Sequence, residues 1–271
     1  MLLAVEIGNT QINFGVFENI NEDNLSKCFK IATDVNRSSD EYAVIINSIF
    51  EYNRISRKDI EGIVLASVVP ALTDVIKKAV KILTDEVNVL TVGKGIKTGF
   101  SIKIDNPSEL GTDLVANAAA VMSIKAKENK RGFSNIIIDM GTATTVFAIN
   151  SGCEYIGGSI LPGIGISFDV LHGKTAQLPN VAPTAPSRII GKNSSESVRA
   201  GVIMGNAMML DGFIKKISQE MKCEDKFDVF ITGEYAEAVI PYIEHQVRYV
   251  PELTLVGLCC IYKNNVNSFK V

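Results

Sequence analysis

Histidine, tryptophan and paired cysteines are scarce in this chain. Its 271 residues include two His, no Trp and five Cys. The cysteines show no CxxC spacing, so neither a structural zinc site nor a disulfide framework is expected. With only two His, we do not expect catalysis by a His base or by a His-ligated metal. The shortage directs attention to carboxylates, Thr and Gly.

Long apolar runs and a strong charge of either sign are also missing. No stretch approaches the ~18 apolar residues of a membrane span, and the first residues carry no basic leader before Glu6. A net charge of −3 gives no reason to expect a nucleic-acid or membrane-surface partner. Hydrophobic residues make up 46% and charged residues 21%, as in ordinary globular proteins. We therefore expect a cytoplasmic protein with no nucleic-acid and no membrane partner.

Segments with strand and helix character alternate along the chain. Leu2 to Ile7 and Ile12 to Phe17 are predicted to form a hairpin, and Ala71 to Leu83 has a helical period. A second series begins near residue 110 with a helix from Thr112 to Ala126, followed by a strand from Asn135 to Asp139. Alternation of this kind predicts an α/β fold. The length suits one large domain or two of moderate size.

One short pattern occurs twice in the sequence. An acid ends an apolar strand and is followed by any residue, then Gly, then small hydroxyl or amide residues, then another strand. The first copy is Glu6-Ile7-Gly8-Asn9-Thr10 and the second is Asp139-Met140-Gly141-Thr142-Ala143. We interpret the two copies as duplicated halves that face each other across a cleft. The alternative is a pair of ordinary hairpins whose glycines serve only the turn.

These turns have the composition of phosphate sites. Glycine turns expose backbone N–H groups that bind anions together with Thr or Asn side chains. A carboxylate repels phosphate directly but reaches it through Mg²⁺, which prefers carboxylate, water and phosphate oxygens. Because GxxxxGK[ST] does not occur, the pattern indicates phosphoryl transfer without a Walker A loop.

Asp113 is the candidate general base. It follows Gly111-Thr112 at the start of a predicted helix. An Asp there can take the proton of an attacking hydroxyl without any His. Because Asp is favoured in the first turn of any helix, a purely structural role is the alternative.

Over nearly its whole length the chain resembles the type III pantothenate kinases of the acetate/sugar kinase–Hsp70–actin superfamily. The motifs that carry the resemblance are Gly8-Asn9-Thr10, Asp40-Glu41-Tyr42, Ser67-Val68-Val69-Pro70, Lys97-Thr98-Gly99, Asp105-Asn106-Pro107, Gly111-Thr112-Asp113, Asp139-Met140-Gly141-Thr142-Ala143-Thr144-Thr145, Gly157-Gly158, Pro162-Gly163-Ile164-Gly165-Ile166-Ser167, Gly191-Lys192-Asn193, and Leu253-Thr254-Leu255 with Gly257-Leu258.

The resemblance implies a fold and a reaction. The fold is α/β, with two ribonuclease-H-like (actin-like) domains, residues 1–112 and 113–271, whose mixed sheets surround a central nucleotide cleft. The reaction is phosphorylation of pantothenate at its primary hydroxyl, the first step of coenzyme A biosynthesis. ATP, Mg²⁺ and a monovalent cation (K⁺ or NH₄⁺) are the implied cofactors. The implied assembly is a homodimer.

The resemblance also assigns site residues by position. Asp113 is the base, Asp139 binds the monovalent cation, and Glu6 binds Mg²⁺ through water. The residues assigned to ATP and its phosphates are Glu6, Gly8, Asn9, Thr10, Gly141, Thr142 and Thr144. The residues assigned to the substrate are Ile104, Gly111, Thr112, Leu114 and Ser194. Ser194, where the family has Thr, is expected to reach the partner subunit's substrate.

Besides Ser194, three of these positions depart from the family pattern. Glu6 replaces an Asp, Ile104 a Tyr and Leu114 an Arg, so the substrate wall loses a hydroxyl and a guanidinium. The longer Glu6 moves its carboxylate by about 1 Å, and such a displacement at a reacting centre can lower the rate roughly 100-fold. Three hypotheses follow: a pantothenate kinase that tolerates the changes, a kinase for a less charged alcohol, or a catalytically weak regulatory or transcriptional accessory protein.

Overall fold

The computed structural model describes residues 1–20, 23–130, 132–223 and 226–266. The strands in these ranges are β1 (Leu2–Ile7), β2 (Gln11–Phe17), β3 (Lys27–Ala32), β4 (Gly62–Ser67), β5 (Val89–Thr91), β6 (Ser101–Ile102), β7 (Ser134–Met140), β8 (Ala143–Ile149), β9 (Glu154–Pro162), β10 (Phe227–Thr232) and β11 (Arg248–Tyr249). The α-helices are α1 (Ser39–Tyr52), α2 (Pro70–Leu83), α3 (Thr112–Lys127), α4 (Ile164–Lys174), α5 (Ser194–Arg199), α6 (Gly205–Glu220), α7 (Ala236–Val239) and α8 (Leu253–Val266). A π-helical stretch, Ala200–Met204, joins α5 to α6.

The strands form two sheets with the same internal plan. The first has the order β3-β2-β1-β4-β5 and the second the order β11-β10-β7-β8-β9-β6. Read from β9 to β11, the second sheet repeats the first strand by strand. In each, the first three strands of the repeat pair antiparallel and the last two add in parallel. The expected duplication is therefore present in the topology, and β6 is an additional edge strand beside β9.

Alternation along β1 builds the first unit. Leu3, Val5 and Ile7 are buried on the face that packs against α1 and α2. Leu2 and Ala4 are buried on the opposite face, in a cluster with residues of α3 and α8. A strand buried on both faces needs an apolar residue at nearly every position, and this is why the segment up to Glu6 is uninterrupted.

The chain forms two compact units, each with many contacts among its own residues. The first comprises residues 1–100, 106–127 and the described residues from 253 on, and the second comprises 101–105 and 128–252. These units differ from the expected domains 1–112 and 113–271, because α3 and α8 both cover the first sheet. The two helices meet so closely that a Cβ on Gly257 would lie 1.8 Å from the carbonyl oxygen of Ala116.

The second unit has a core of its own. Residues from β7, β8 and β10 pack there against α4, α6, α7 and the π-helical stretch. None of the helices within the described ranges is long and apolar enough to cross a membrane.

Candidate functional site

Hairpin A consists of β1, β2 and the turn Gly8-Asn9-Thr10 between them. The backbone N–H of Gly8 donates to the carbonyl oxygen of Gln11 at 3.0 Å and closes the turn. A Cβ on Gly8 would lie only 3.0 Å from that same oxygen, which explains the glycine. Thr33 fastens the turn from outside, because its hydroxyl donates to the Gly8 carbonyl at 2.7 Å. Asn9 and Thr10 are exposed at the tip.

The acid of hairpin A lies under its turn. Glu6 pairs with Asn13 in the antiparallel register, and the side-chain amide of Asn13 donates to Glu6 Oε2 at 2.6 Å. The other carboxylate oxygen, Oε1, lies 3.8 Å from the position that a Cβ of Gly8 would take. Hairpin A therefore presents a half-buried carboxylate directly beneath a glycine turn.

Hairpin B consists of β7, β8 and the turn Gly141-Thr142, and it repeats this arrangement. Asp139 pairs with Thr145 in the register, and Asp139 Oδ1 lies 3.6 Å from the position of a Gly141 Cβ. That Cβ would meet only ordinary van der Waals contacts, so the packing of the chain itself does not require glycine there. A glycine that the fold does not need leaves room for close approach of a ligand to the backbone.

Two hydroxyls of hairpin B are buried without a hydrogen-bond partner. They are the Oγ1 atoms of Thr144 and Thr145, and the residue Thr144 is 0% exposed. An unpaired buried hydroxyl is unfavourable for folding. An unpaired buried hydroxyl beside an acid–glycine turn is typical of a site that binds polar ligands.

Two further glycines pack the surroundings of hairpin B tightly. Gly163, the residue before α4, lies so close that its Cβ would be 2.2 Å from the carbonyl oxygen of Thr142. Gly233, with φ at +100°, lies against the backbone of Met140, where a Cβ would be 2.5 Å away. The first turn of α4 and the end of β10 are thereby packed against the turn of hairpin B. A helix N-terminus at this point adds a positive partial charge that favours anions.

The start of α3 lies at the same sheet edge as the end of β1. The hydroxyl of Thr112 donates to the carbonyl oxygen of Ser67 at 3.0 Å, and Ser67 pairs with Ile7 in the parallel register. Because the carboxyl ends of parallel strands share one edge, the helix N-terminus with Asp113 lies beside the strand that carries Glu6. The acid of hairpin A and the predicted base thus lie on elements that meet at one edge of the first sheet.

Asp113 is a half-buried acid at a helix start. Burial raises the pKa of its carboxyl above the ordinary value, opposed by the backbone N–H of Leu114, which donates to Asp113 Oδ1. That contact is 2.9 Å long. Gly111 makes room for this carboxyl, because a Cβ there would lie 2.4 Å from Oδ1. A carboxylate with a raised pKa is a stronger base than an exposed one.

The predicted substrate residues fall in different places. Leu114 is half-buried in the first turn of α3, next to Asp113. Ile104 is half-buried in the second unit, near Gly157 of β9. Ser194 is exposed at the start of α5. It lines a cavity of about 670 Å³ whose lining residues are Leu171, Leu178, Gly191, Lys192, Asn193, Ser194, Ser197, Val198, Gly201 and Val202. None of these lining residues belongs to hairpin B.

The fold places the chain among actin-like proteins. It matches an archaeal actin homolog with a TM-score of 0.52 and 10% identity, covering 97% of this chain and 99% of that one. It matches the activator of 2-hydroxyisocaproyl-CoA dehydratase from Clostridium difficile, solved with bound ADPNP, with a TM-score of 0.57 and 12% identity, covering 100% and 97%. A Campylobacter jejuni protein described as a conserved putative Baf family transcriptional activator matches with a TM-score of 0.58 and 20% identity. The match covers 98% of this chain and 99% of that one. At these identities the likeness concerns the fold alone.

Sequence relatives define the family within this class. The family model for type III pantothenate kinase matches residues 2–216. A type III pantothenate kinase from Moorella thermoacetica (strain ATCC 39073 / JCM 9320) is 38% identical over 268 residues, covering 98% of this chain and 100% of that protein. The chain belongs to the type III pantothenate kinase family, and the expected membership is confirmed.

The roles assigned to individual residues stay predictions, although their positions are now described. Sequence reasoning missed the polar partners across from the two acids, Asn13 and Thr145. A signal for Asn13 was present, since this amide interrupts the apolar run from Ile12 to Phe17. The glycines at 163 and 233 that pack against hairpin B gave no such signal.

The partly desolvated carboxyl of Asp113 predicts that Asp113→Asn makes the protein more stable at neutral and alkaline pH. Above the raised pKa the folded state holds a desolvated carboxylate that the unfolded chain solvates freely. An amide removes this penalty. The gain shrinks as the pH falls through the raised pKa and vanishes below the unfolded pKa of about 3.9, where both forms are neutral.

Urea unfolding of the wild type and the variant at pH 8 and near pH 4 measures this difference. Asp40→Asn is the matched control, because Asp40 is also the second residue of its helix but is exposed. It should slightly destabilise the protein through the loss of a favourable dipole contact. A stability loss for Asp113→Asn at pH 8 would contradict the burial argument.

Proposed function

We propose that this protein phosphorylates the primary hydroxyl of pantothenate with ATP, the first step of coenzyme A biosynthesis. The observation that carries the proposal is the 38% identity across the whole length of the Moorella thermoacetica type III pantothenate kinase. The two acid–glycine hairpins supply the chemistry that such a reaction needs. The departures at Glu6, Ile104 and Leu114 then alter the rate or the affinity for pantothenate rather than the reaction class.

ATP phosphates fit the two turns. In hairpin A, Asn9 and Thr10 are exposed at the tip of a turn fastened by Thr33. In hairpin B, the space over Gly141 and the unpaired hydroxyl of Thr144 supply a close backbone approach and a donor. We propose that Gly8, Asn9 and Thr10 bind phosphate oxygens at one turn, and Gly141, Thr142 and Thr144 at the other.

Divalent and monovalent cations fit the two carboxylates. The described residues hold no group of three or more His, Cys, Asp or Glu that would enclose a metal. A hard cation is then held by few protein oxygens, with water and phosphate completing its shell. We assign Glu6 to Mg²⁺ through water and Asp139 to K⁺ or NH₄⁺. Bound Mg²⁺ neutralises charge on the phosphate oxygens during transfer.

Asp113 takes the proton of the attacking hydroxyl. Its Oδ1 already accepts from the backbone N–H of Leu114, so we propose that Oδ2 receives the proton. The raised pKa from burial improves proton abstraction. Leu114 and Ile104 then provide apolar contacts to the substrate, in place of a guanidinium and a phenol.

We propose that the protein acts as a homodimer in the cytoplasm. Large apolar side chains of the second unit lie at the surface, among them Ile160 (76% exposed), Ile190 (79%) and Met208 (60%). An interface that covered these side chains would remove their apolar surface from water. The five cysteines all lie in the described ranges and none is disulfide-bonded, as suits a reducing compartment.

Purified protein with Mg²⁺ and K⁺ is expected to release ADP in a pantothenate-dependent way. Asp113→Asn should lower kcat about 10²- to 10⁴-fold, the usual contribution of a general base, while nucleotide binding persists. A coupled ADP assay with millimolar pantothenate measures ADP release by the wild type and the kcat of the variant. Absence of ADP release from the wild type would overturn the pantothenate assignment. Turnover of another alcohol in a substrate screen would favour the second hypothesis, a diverged kinase.

Mixed dimers test the proposal that Ser194 contacts the partner subunit's substrate. Alone, Asp113→Asn should be nearly inactive, and Ser194→Arg should raise the KM for pantothenate at least tenfold because Arg fills the space of an exposed small residue. Co-expression of the two variants as a mixed dimer should restore one intact site and with it substantial activity. Sedimentation and activity of tagged, purified mixed dimers give the answer. No recovery would place Ser194 in its own subunit's site, and a monomer in sedimentation would overturn the dimer.

A further inference from the structure

The hydrogen bond between Asn13 and Glu6 is unusual for its place in the fold. Asn13 stands in the middle of β2, between Ile12 and Phe14, which are both 0% exposed. Its amide Nδ2 donates a short hydrogen bond to Glu6 Oε2, at 2.6 Å. Only the NH₂ group can donate to a carboxylate, so this contact fixes the orientation of the amide.

The same bond leaves the other amide atom without a partner. Asn13 Oδ1 is buried and makes no hydrogen bond. A buried unpaired carbonyl oxygen destabilises a fold. An apolar side chain at residue 13 would remove this unpaired oxygen, but it would also remove the hydrogen bond to Glu6.

Hairpin B shows what the equivalent position looks like without the amide. Thr145 stands opposite Asp139 in the register, and its hydroxyl has no hydrogen-bond partner. The acid of hairpin B is an Asp, with two side-chain torsions, whereas Glu6 has three. A longer side chain samples more rotamers unless a contact holds it. Of the two hairpins, the one with the longer acid has the amide that holds it.

We propose that Asn13 is a positioning residue that fixes the carboxylate of Glu6 under the Gly8 turn, so that Oε1 is presented to the hydration shell of Mg²⁺. The inference rests on the proposed function for the assignment of Glu6 to Mg²⁺. It explains how a glutamate serves where the family has a shorter acid. Oε2 is engaged by Asn13, and the extra methylene no longer leaves the carboxylate free to move.

Three variants separate positioning from hairpin stability. Asn13→Val removes the amide and suits a strand. The double variant Glu6→Gln with Asn13→Asp keeps one amide–carboxylate hydrogen bond but moves the charge from β1 to β2. Asn47→Ala is the matched control, because Asn47 Nδ2 donates to Glu51 Oε1 at 2.8 Å and Asn47 Oδ1 is also buried without a partner, but in α1.

The main readout is binding of the non-hydrolysable analogue AMP-PNP, followed by calorimetry across a Mg²⁺ titration. Asn13→Val should raise the Mg²⁺ concentration for half-maximal binding about tenfold and leave the KM for pantothenate within twofold. The double variant should unfold in urea like the wild type yet keep the raised Mg²⁺ requirement. Asn47→Ala should leave the Mg²⁺ requirement unchanged.

Two outcomes would overturn the assignment. One is an unchanged Mg²⁺ requirement in Asn13→Val. The other is a normal requirement in the double variant, since Mg²⁺ binding would then not need a carboxylate at residue 6. Failure of the proposed function is distinguishable. If the wild type binds AMP-PNP with Mg²⁺ but does not phosphorylate pantothenate, the proposed function is overturned. The binding curves of the variants still decide the role of Asn13 in that case. A wild type with no Mg²⁺ dependence would overturn the role of Asn13 through Glu6.

Discussion

The antiparallel register of each hairpin places an acid opposite a polar side chain. In hairpin A it places Glu6 opposite Asn13, and in hairpin B it places Asp139 opposite Thr145. A slip of one residue would turn each acid to the other face of its sheet. The buried strands on either side prevent such a slip, because apolar side chains occupy both faces of β1. The core of each unit is therefore what holds an acid beneath a glycine turn.

Several polar groups at the hairpins and at the start of α3 are removed from water, and this lowers the stability of the fold. The raised pKa of Asp113, the unpaired hydroxyl of Thr144 and the unpaired carbonyl of Asn13 are each unfavourable for folding alone. Glycines at 111 and 163 allow the backbone to pass close to the same regions, where a Cβ would not fit. These features lie at the hairpin turns and the start of α3. Locally unfavourable groups of this kind are typical of functional sites.

The sequence predicts regular elements well and side-chain partnerships poorly. Leu2 to Ile7 is a strand with the predicted bounds, because an apolar run that ends at turn residues is a strong local signal. The two-residue strands β6 and β11 were missed, since two residues show no periodicity. That α3 and α8 cover the first sheet depends on contacts between distant parts of the chain, which no local pattern reports. The resemblance supplied the site positions, while the pairing of Asn13 with Glu6 required the register.

The central claim is that the two acid–glycine turns bind the phosphates of ATP. A crystal structure of the protein with Mg²⁺ and AMP-PNP tests it most directly. We expect phosphate oxygens within hydrogen-bond distance of the turn Gly8-Asn9-Thr10 and of the turn Gly141-Thr142, with Mg²⁺ reached by Glu6 through water. A nucleotide whose phosphates contact neither turn would contradict the account.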